Sequence, residues 1–137
     1  MRKAVKFGGS SLADAGQFRK AGEIIRADKG RRYIVPSAPG KRFAEDIKVT
    51  DMLYACYALA EAGSDFREKL MLIAKRYAEI VSGLELNISL DKEFEKIEEH
   101  FREKFGILKI PDILKIFAFY AIISILYKYI KIYIRLF

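Results

Sequence analysis

The sequence predicts an α/β fold in which a short parallel sheet is flanked by helices. Two short apolar segments, residues 4–7 and 33–35, have the length and composition of strands, and an amphipathic helical pattern separates them. A strand–helix–strand unit places its two strands parallel in one sheet, with a right-handed crossover. Helical patterns occupy most of the chain from residue 49 to residue 105, so we expect further helices beside this sheet.

The composition is that of one folded domain. Hydrophobic residues make up 52% and charged residues 31% of the chain, which excludes wholesale disorder. The single cysteine, Cys56, cannot form an internal disulfide, and Lys6 with the following glycines interrupts any apolar leader, so we expect a cytoplasmic protein. The formal charge of +7 is concentrated towards both ends, but without a basic stripe interleaved with exposed aromatic residues we expect no nucleic-acid partner.

The first predicted strand, residues 4–7, reads as buried and runs directly into Gly8-Gly9-Ser10-Ser11. Glycines can adopt positive φ angles and let the backbone approach a ligand, while the N–H groups of the next helix point to the same place. Lys6 adds a mobile positive charge. This pattern fits an anion-binding turn and equally a plain strand-to-helix turn, because it is neither a P-loop nor a G-x-G-x-x-G motif.

The next elements place a second loop at the same edge of the sheet. A helix over residues 14–27 is indicated by small and apolar residues at helical spacing: Phe18, Ala21, Gly22 and Ile25. The second strand ends in Pro36-Ser37-Ala38-Pro39-Gly40, where the prolines and the glycine prevent regular structure. Since ligands of parallel sheets bind at the carboxyl ends of the strands, we expect Ser37 and the Gly8-Gly9 turn to share one rim.

Three further helices are predicted after the charged loop of residues 41–48. Thr50 is the expected N-cap of the first, where its hydroxyl would lie beside the rim. Asp65 and Glu68 resemble a capping box for the second, and Ser89 or Asp91 caps the third. The second carries a strong apolar stripe that ends at Gly83: Phe66, Leu70, Ile73, Tyr77 and Ile80. The apolar residues of the third are Phe94, Ile97, Phe101 and Phe105.

The sequence changes character at Gly106. Residues 107–137 consist mostly of Ile, Leu, Phe, Tyr and Lys, without the polar face of a surface helix. Their longest uncharged apolar run, residues 116–127, is too short for a bilayer, which needs about 20 residues. A buried, membrane-surface or partner-binding helix is open, and the alternation of Ile130, Ile132 and Ile134 with polar residues is strand-like. We therefore divide the chain into residues 1–105 and an apolar tail, residues 106–137.

Three motifs together resemble the opening of an aspartokinase, a member of the amino-acid kinase family. They are Lys6-Phe7-Gly8-Gly9-Ser10-Ser11, Val35-Pro36-Ser37-Ala38-Pro39-Gly40 and Lys48-Val49-Thr50-Asp51-Met52-Leu53. They occur in the family's order, and the likeness covers residues 1 to about 105. The resemblance implies part of the three-layer amino-acid kinase fold. It also implies phosphoryl transfer from ATP to the side-chain carboxylate of L-aspartate, in lysine, threonine and methionine biosynthesis.

The resemblance also implies roles for individual residues. Lys6 would be the catalytic residue that neutralises the transferring phosphoryl group, and Ser37 and Thr50 would bind the aspartate substrate. ATP would be held by a run of adjacent residues: Lys6, Phe7, Gly8, Gly9 and Ser10. Magnesium would come with the nucleotide, and no protein metal site is expected. An aspartate carboxylate with a pKa of about 4 is already ionised at neutral pH, so the reaction needs cations and N–H groups rather than a strong base.

Other parts of the family pattern are not recognisable. These are the segment that binds the substrate amino group, the aspartate that organises transfer, the pocket for the nucleotide base and the regulatory domains. We therefore expect a truncated or frame-disrupted aspartokinase that is weak or inactive alone. The alternative is a non-enzymatic interaction or membrane-surface module that uses the apolar tail. A membrane partner is not favoured, and self-association through the exposed sheet edge or the tail is a further expectation.

Overall fold

The computed structural model describes residues 1–105, and the predicted apolar tail lies outside the described residues. In the described part, two strands and four α-helices form the α/β arrangement that the sequence predicts. The order is β1 (Lys3–Phe7), α1 (Ala15–Arg26), β2 (Arg31–Pro36), α2 (Val49–Glu61), α3 (Arg67–Gly83) and α4 (Asp91–Phe105). A short 3₁₀ turn, Gly9–Leu12, lies between β1 and α1. None of the described helices is long and apolar enough to cross a membrane.

The two strands pair in parallel, as predicted. Their register runs in order along the strands: Lys3 with Arg31, Ala4 with Tyr33, Val5 with Ile34, Lys6 with Val35 and Phe7 with Pro36. Val5 and Ile34 pack against the core, whereas Tyr33 and Val35 are 54% and 55% exposed. The prediction of a buried first strand is therefore wrong for most of β1, because the described elements cover only one face of this two-stranded sheet.

Helix α1 agrees with its predicted bounds to within one residue at each end. Asp14 is the N-cap, and its carboxylate accepts a hydrogen bond of 2.9 Å from the Gln17 amide. This cap satisfies one of the free N–H groups of the first turn. The side of α1 that faces the core is the predicted one: Phe18, Ala21, Gly22 and Ile25 are buried.

The start of α2 differs from the prediction. Thr50 is not the N-cap, because the Lys48 carbonyl already accepts a hydrogen bond from the Met52 amide at 3.1 Å, which places the cap at Lys48. The Val49 amide donates to the Pro39 carbonyl at 3.1 Å, so a distant loop holds the first helical residue. Thr50 consequently lies inside the first turn of α2.

The other two helix starts are also held by short local bonds. At α3 the N-cap position is Phe66, and the Asp65 carboxylate accepts from the Arg67 amide at 3.0 Å. The predicted capping box at Asp65 is therefore wrong, since the box requires this carboxylate to accept from the Glu68 amide. At α4 the Ser89 hydroxyl accepts from the Asp91 amide at 3.1 Å, so Ser89 supplies the side-chain cap.

The core is mainly helical. The whole predicted stripe of α3 is buried: Phe66, Leu70, Ile73, Tyr77 and Ile80. Two aromatic contacts connect α4 to α3 and its start. The ring centroids of Phe66, just before α3, and Phe101 of α4 are 5.1 Å apart. Those of Tyr77 in α3 and Phe94 in α4 are 6.0 Å apart. Helices α2, α3 and α4 therefore form one apolar cluster, on which the sheet and its loops rest.

Helix α3 ends in a left-handed residue that is not glycine. Glu85 has a φ of 57°, its amide donates to the Ser82 carbonyl, and the next amide, of Leu86, donates to the Val81 carbonyl. A side chain in this conformation is strained, so we expect Glu85→Gly to raise the free energy of unfolding by about 0.5–1 kcal/mol. As a control, Lys69→Gly inside α3 should lower it by about 1 kcal/mol. Urea denaturation measures both, and a destabilised Glu85→Gly variant would contradict the expectation.

Candidate anion-binding site

A cavity of about 520 Å³ opens where the two parallel strands end. Three segments form its wall: the turn after β1, the loop after β2 and the first turn of α2. The lining residues are Gly9, Ser10, Pro36, Ser37, Ala38, Pro39, Gly40, Lys41, Lys48 and Thr50. The structure thus brings Gly9 and Ser37 to one rim, at the carboxyl edge where ligands of parallel sheets bind.

The turn after β1 uses its glycines differently from the prediction. Gly8 is extended, with φ −74° and ψ 169°, and among the described glycines a positive φ occurs only at Gly63. A β-carbon at position 9 would lie 3.0 Å from the Ala38 carbonyl oxygen and 3.2 Å from the Gly40 α-carbon, so a side chain there would crowd the second loop. The value of Gly9 is therefore its close approach to the second loop.

The second loop meets the turn backbone to backbone. The Gly40 amide donates to the Gly9 carbonyl at 2.8 Å, and the Ser37 amide donates to the Phe7 carbonyl at 3.0 Å. A β-carbon on Gly40 would lie 2.6 Å from the Gly9 carbonyl carbon and 2.8 Å from the Ser10 nitrogen. The two loops can therefore approach this closely because Gly40 has no β-carbon, and the absence of one on Gly9 relieves further crowding.

A buried ion pair between Asp46 and Arg76 connects the second loop to helix α3. Asp46, 8% exposed, accepts from the Arg42 guanidinium at 2.9 Å and from Arg76 of α3 at 2.7 Å. The side-chain hydrogen bonds from Arg42 are the main reason that the pKa of Asp46 lies well below its usual range, and the Arg76 charge adds to the effect. The sequence predicts only a charged loop here, because nothing in the local pattern pairs residue 46 with residue 76.

The structure separates the predicted site residues into two groups. Gly9, Ser10, Ser37 and Thr50 line the cavity, while Lys6, Phe7 and Gly8 do not. The Phe7 side chain is 7% exposed and belongs to the core, so its predicted contact with ATP can be made only by the backbone. Lys6 is exposed on β1, close to the turn, and its catalytic role stays a prediction.

Two lysines of the cavity were missed. Lys41 donates to the Ala44 carbonyl at 3.1 Å, and Lys48 is the N-cap of α2. Within residues 1–105, no hydrogen bond or ion pair engages the Lys48 ammonium or the hydroxyls of Ser10, Ser37 and Thr50. Lys48 could have been found from the sequence, since it begins the third motif. These groups together suit a ligand with several negative charges.

Metal-binding side chains are not clustered in this part of the chain. Among the described residues, no group of three or more His, Cys, Asp and Glu side chains is placed to hold a metal ion. No carboxylate occurs among the described residues that line the cavity. Anion recognition here therefore depends on lysines, hydroxyls and backbone groups.

The fold and the cavity define an α/β protein with a candidate anion-binding edge, and comparisons with known proteins show what the chain is similar to. The chain is 44% identical over 97 residues to Aspartokinase 3 of Bacillus subtilis, a match that covers 71% of this chain and 21% of that protein. The crystal structure of the aspartate kinase of Clostridium acetobutylicum, an allosteric enzyme, superposes with a TM-score of 0.78 at 40% identity. That match covers 93% of this chain and 29% of the other chain. No family model matches the sequence.

The chain is aspartokinase-like in sequence and in fold, which confirms the resemblance carried by its three motifs. It spans about a fifth of the length of the Bacillus relative. The candidate anion-binding edge belongs to a chain of which 93% is covered by the match to the solved aspartate kinase.

The contact between Gly9 and Gly40 gives a sharp prediction. We expect Gly40→Ala to lower the free energy of unfolding by about 1–3 kcal/mol, because its β-carbon would overlap backbone atoms that cannot move independently. Gly8→Ala is the matched control, since no atom lies within 4 Å of an added β-carbon and the φ of Gly8 suits alanine. Thermal denaturation compares the two variants. Equal stability of both would contradict the close contact.

Asp46 gives a prediction about acid. In the unfolded chain it binds a proton near pH 3.9, but in the folded protein it stays ionised to a lower pH, so acid favours unfolding. The contribution of ionised Asp46 to the stability of the folded protein is complete above the pKa of Asp46 in the unfolded chain. It is lost as the pH falls through the pKa of Asp46 in the folded protein. Asp46→Asn should cost about 3 kcal/mol at pH 7, and this difference should shrink below about pH 4. Urea denaturation at several pH values measures it, and a difference independent of pH would overturn the assignment.

Proposed function

We propose that this chain has aspartate kinase function, in which the γ-phosphoryl group of ATP is transferred to the side-chain carboxylate of L-aspartate for amino-acid biosynthesis. The observation that carries the proposal is the meeting of three segments at one cavity: the Gly9-Ser10 turn, the Ser37 loop and the start of α2. It is supported by the 44% identity to an aspartokinase.

The cavity wall offers partners for the negatively charged groups of both reactants. We propose that Gly9 and Ser10 contact the phosphates of ATP, and that Ser37 and Thr50 bind L-aspartate. Lys48, whose ammonium has no partner among the described residues, neutralises phosphate charge from the start of α2. Lys6 is the proposed catalytic cation, held on β1 beside the turn.

The chemistry requires two anions to approach each other. The aspartate carboxylate is ionised at neutral pH, so its attack on a phosphoryl group is limited by repulsion and by positioning rather than by proton removal. Lysines and N–H groups reduce that repulsion. Because the cavity wall has no carboxylate, we propose that Mg²⁺ arrives bound to the nucleotide, where it neutralises phosphate charge.

This chain covers only part of the length of its relatives, and we expect this to limit its binding and turnover when it acts alone. We propose that the 137-residue chain binds Mg·ATP weakly and turns over slowly or not at all. A cytoplasmic location accords with this function and stays a prediction. The alternative, an interaction module built on residues 106–137, rests on a segment outside the described residues, so no observation favours it.

Nuclear magnetic resonance can test the binding step directly. Titration of the full chain with Mg·ATP should shift the amide signals of Lys6, Gly9, Ser10 and Gly40 while leaving α4 unaffected. Lys48→Ala should weaken binding by roughly tenfold, the usual scale for one charged hydrogen bond. The matched control is Lys20→Ala on an exposed position of α1 away from the cavity wall, which should bind as the parent does. Shifts scattered over the surface, or equal affinities for both variants, would refute the site.

Turnover is tested separately. A coupled assay of ATP consumption should show little or no dependence on L-aspartate for this chain. Rapid aspartate-dependent consumption would contradict the proposal that the chain is weak alone, while it would support the assigned reaction. D-aspartate serves as the control substrate, because it has the same charges with the opposite configuration.

A further inference from the structure

One buried cation lies behind the cavity rather than in its wall. Arg76 lies in the middle of α3 and is only 4% exposed, between the buried apolar residues Ile73 and Tyr77. A guanidinium keeps its charge in proteins and is costly to bury unless its donors are well paired. The hydrogen-bond partners of the Arg76 guanidinium therefore show which part of the chain it holds in place.

The hydrogen bonds of Arg76 all go to the loop between β2 and α2. Nη1 donates to the Gly40 carbonyl at 3.1 Å, and Nη2 donates to Asp46 Oδ1 at 2.7 Å and to the Ile47 carbonyl at 3.3 Å. Residues 37–48 contain no helix or strand, so the loop is shaped by such tertiary bonds. One planar group thus ties both ends of the loop to a single point on α3.

Both tied ends reach the cavity. Gly40 lines it, and while its carbonyl accepts from Arg76 its amide donates to the Gly9 carbonyl at 2.8 Å. Ile47 directly precedes Lys48, which lines the cavity from the other side. A shift of the guanidinium would therefore displace the wall at two places.

The second arginine of this cluster cannot replace the first. Arg42 belongs to the loop itself, and its bond to α3 is an ion pair with Glu79, 2.8 Å long, at a largely exposed surface. Exposed pairs of this kind contribute little to rigidity or stability. Arg76 is thus the buried link between the loop and the helical core.

We propose that Arg76 is a positioning residue of the candidate site: it fixes residues 37–48 so that Gly40 stays against Gly9 and Lys48 stays at the cavity, and it thereby sets the affinity for phosphate groups. The choice of phosphate groups as the ligand rests on the proposed function. The loop geometry does not, so it can be measured in the free protein.

The first measurement is amide hydrogen exchange in the full chain without ligand. Arg76→Met should speed exchange at the Gly40 and Val49 amides, which bond to Gly9 and Pro39, by about tenfold beyond any change in the core helices. Ile80→Ala is the control, because it also removes a buried α3 side chain, but an apolar one that makes no hydrogen bond to the loop. It should change exchange globally and not selectively at these two amides.

The second measurement is Mg·ATP affinity at equal folded fraction. Arg76→Met should weaken binding about tenfold, while Ile80→Ala should stay within about twofold of the parent. In a double-mutant cycle with Lys48→Ala, the combined loss of affinity should be smaller than the product of the two separate losses. The reason is that Lys48, once displaced by Arg76→Met, contributes less to binding. If Arg76→Met does not fold, Arg76→Lys takes its place, since lysine keeps the charge but lacks the fork that spans Gly40 and Asp46.

The outcomes separate the two proposals. Loop-selective exchange together with parental affinity would overturn the effect of Arg76 on binding, and unchanged loop exchange would overturn its positioning role. Absence of Mg·ATP binding by the parent chain, with loop-selective exchange in Arg76→Met, would refute the proposed function and leave the positioning of the loop supported.

Discussion

The contact between the backbones of Gly9 and Gly40 is the constraint on which the candidate site depends. Neighbouring strands of a parallel sheet lie about 4.8 Å apart, but their loops diverge unless something holds them. Here the Gly40 amide bonds to the Gly9 carbonyl, and a β-carbon would overlap backbone atoms at Gly40 and crowd them at Gly9. This contact places Ser10 and Ser37 at the wall of one cavity.

The same region contains the buried charges of the described chain. Asp46 and Arg76 are each less than a tenth exposed, and their mutual bond of 2.7 Å offsets a desolvation cost that neither charge could bear alone. Arg76 also donates to the Gly40 and Ile47 carbonyls, which adds two hydrogen bonds to the ion pair. These bonds hold the loop that carries Lys41 and Lys48 to the cavity.

The helices and the sheet contribute different things to this structure. Helices α2, α3 and α4 bury apolar stripes against one another and form a core, while β1 and β2 leave Tyr33 and Val35 exposed on their outer face. The cavity lies between these two parts, since its wall combines the ends of both strands with the first turn of α2. A solved aspartate kinase shares this fold over nearly the whole chain, although it extends far beyond it.

The sequence by itself determined the α/β class, the parallel pairing, the bounds of α1, the buried stripe of α3 and the aspartokinase likeness. The helix and strand patterns depend on spacing within a few neighbouring residues, and the parallel pairing and the family likeness follow from the order of such short segments along the chain. Only the tertiary structure decided that Lys48 rather than Thr50 caps α2, that Gly9 serves close approach rather than a positive φ, and that Phe7 belongs to the core. The bond from Arg76 to Asp46 joins residues 30 positions apart, and such a pairing exists only once the helices have packed.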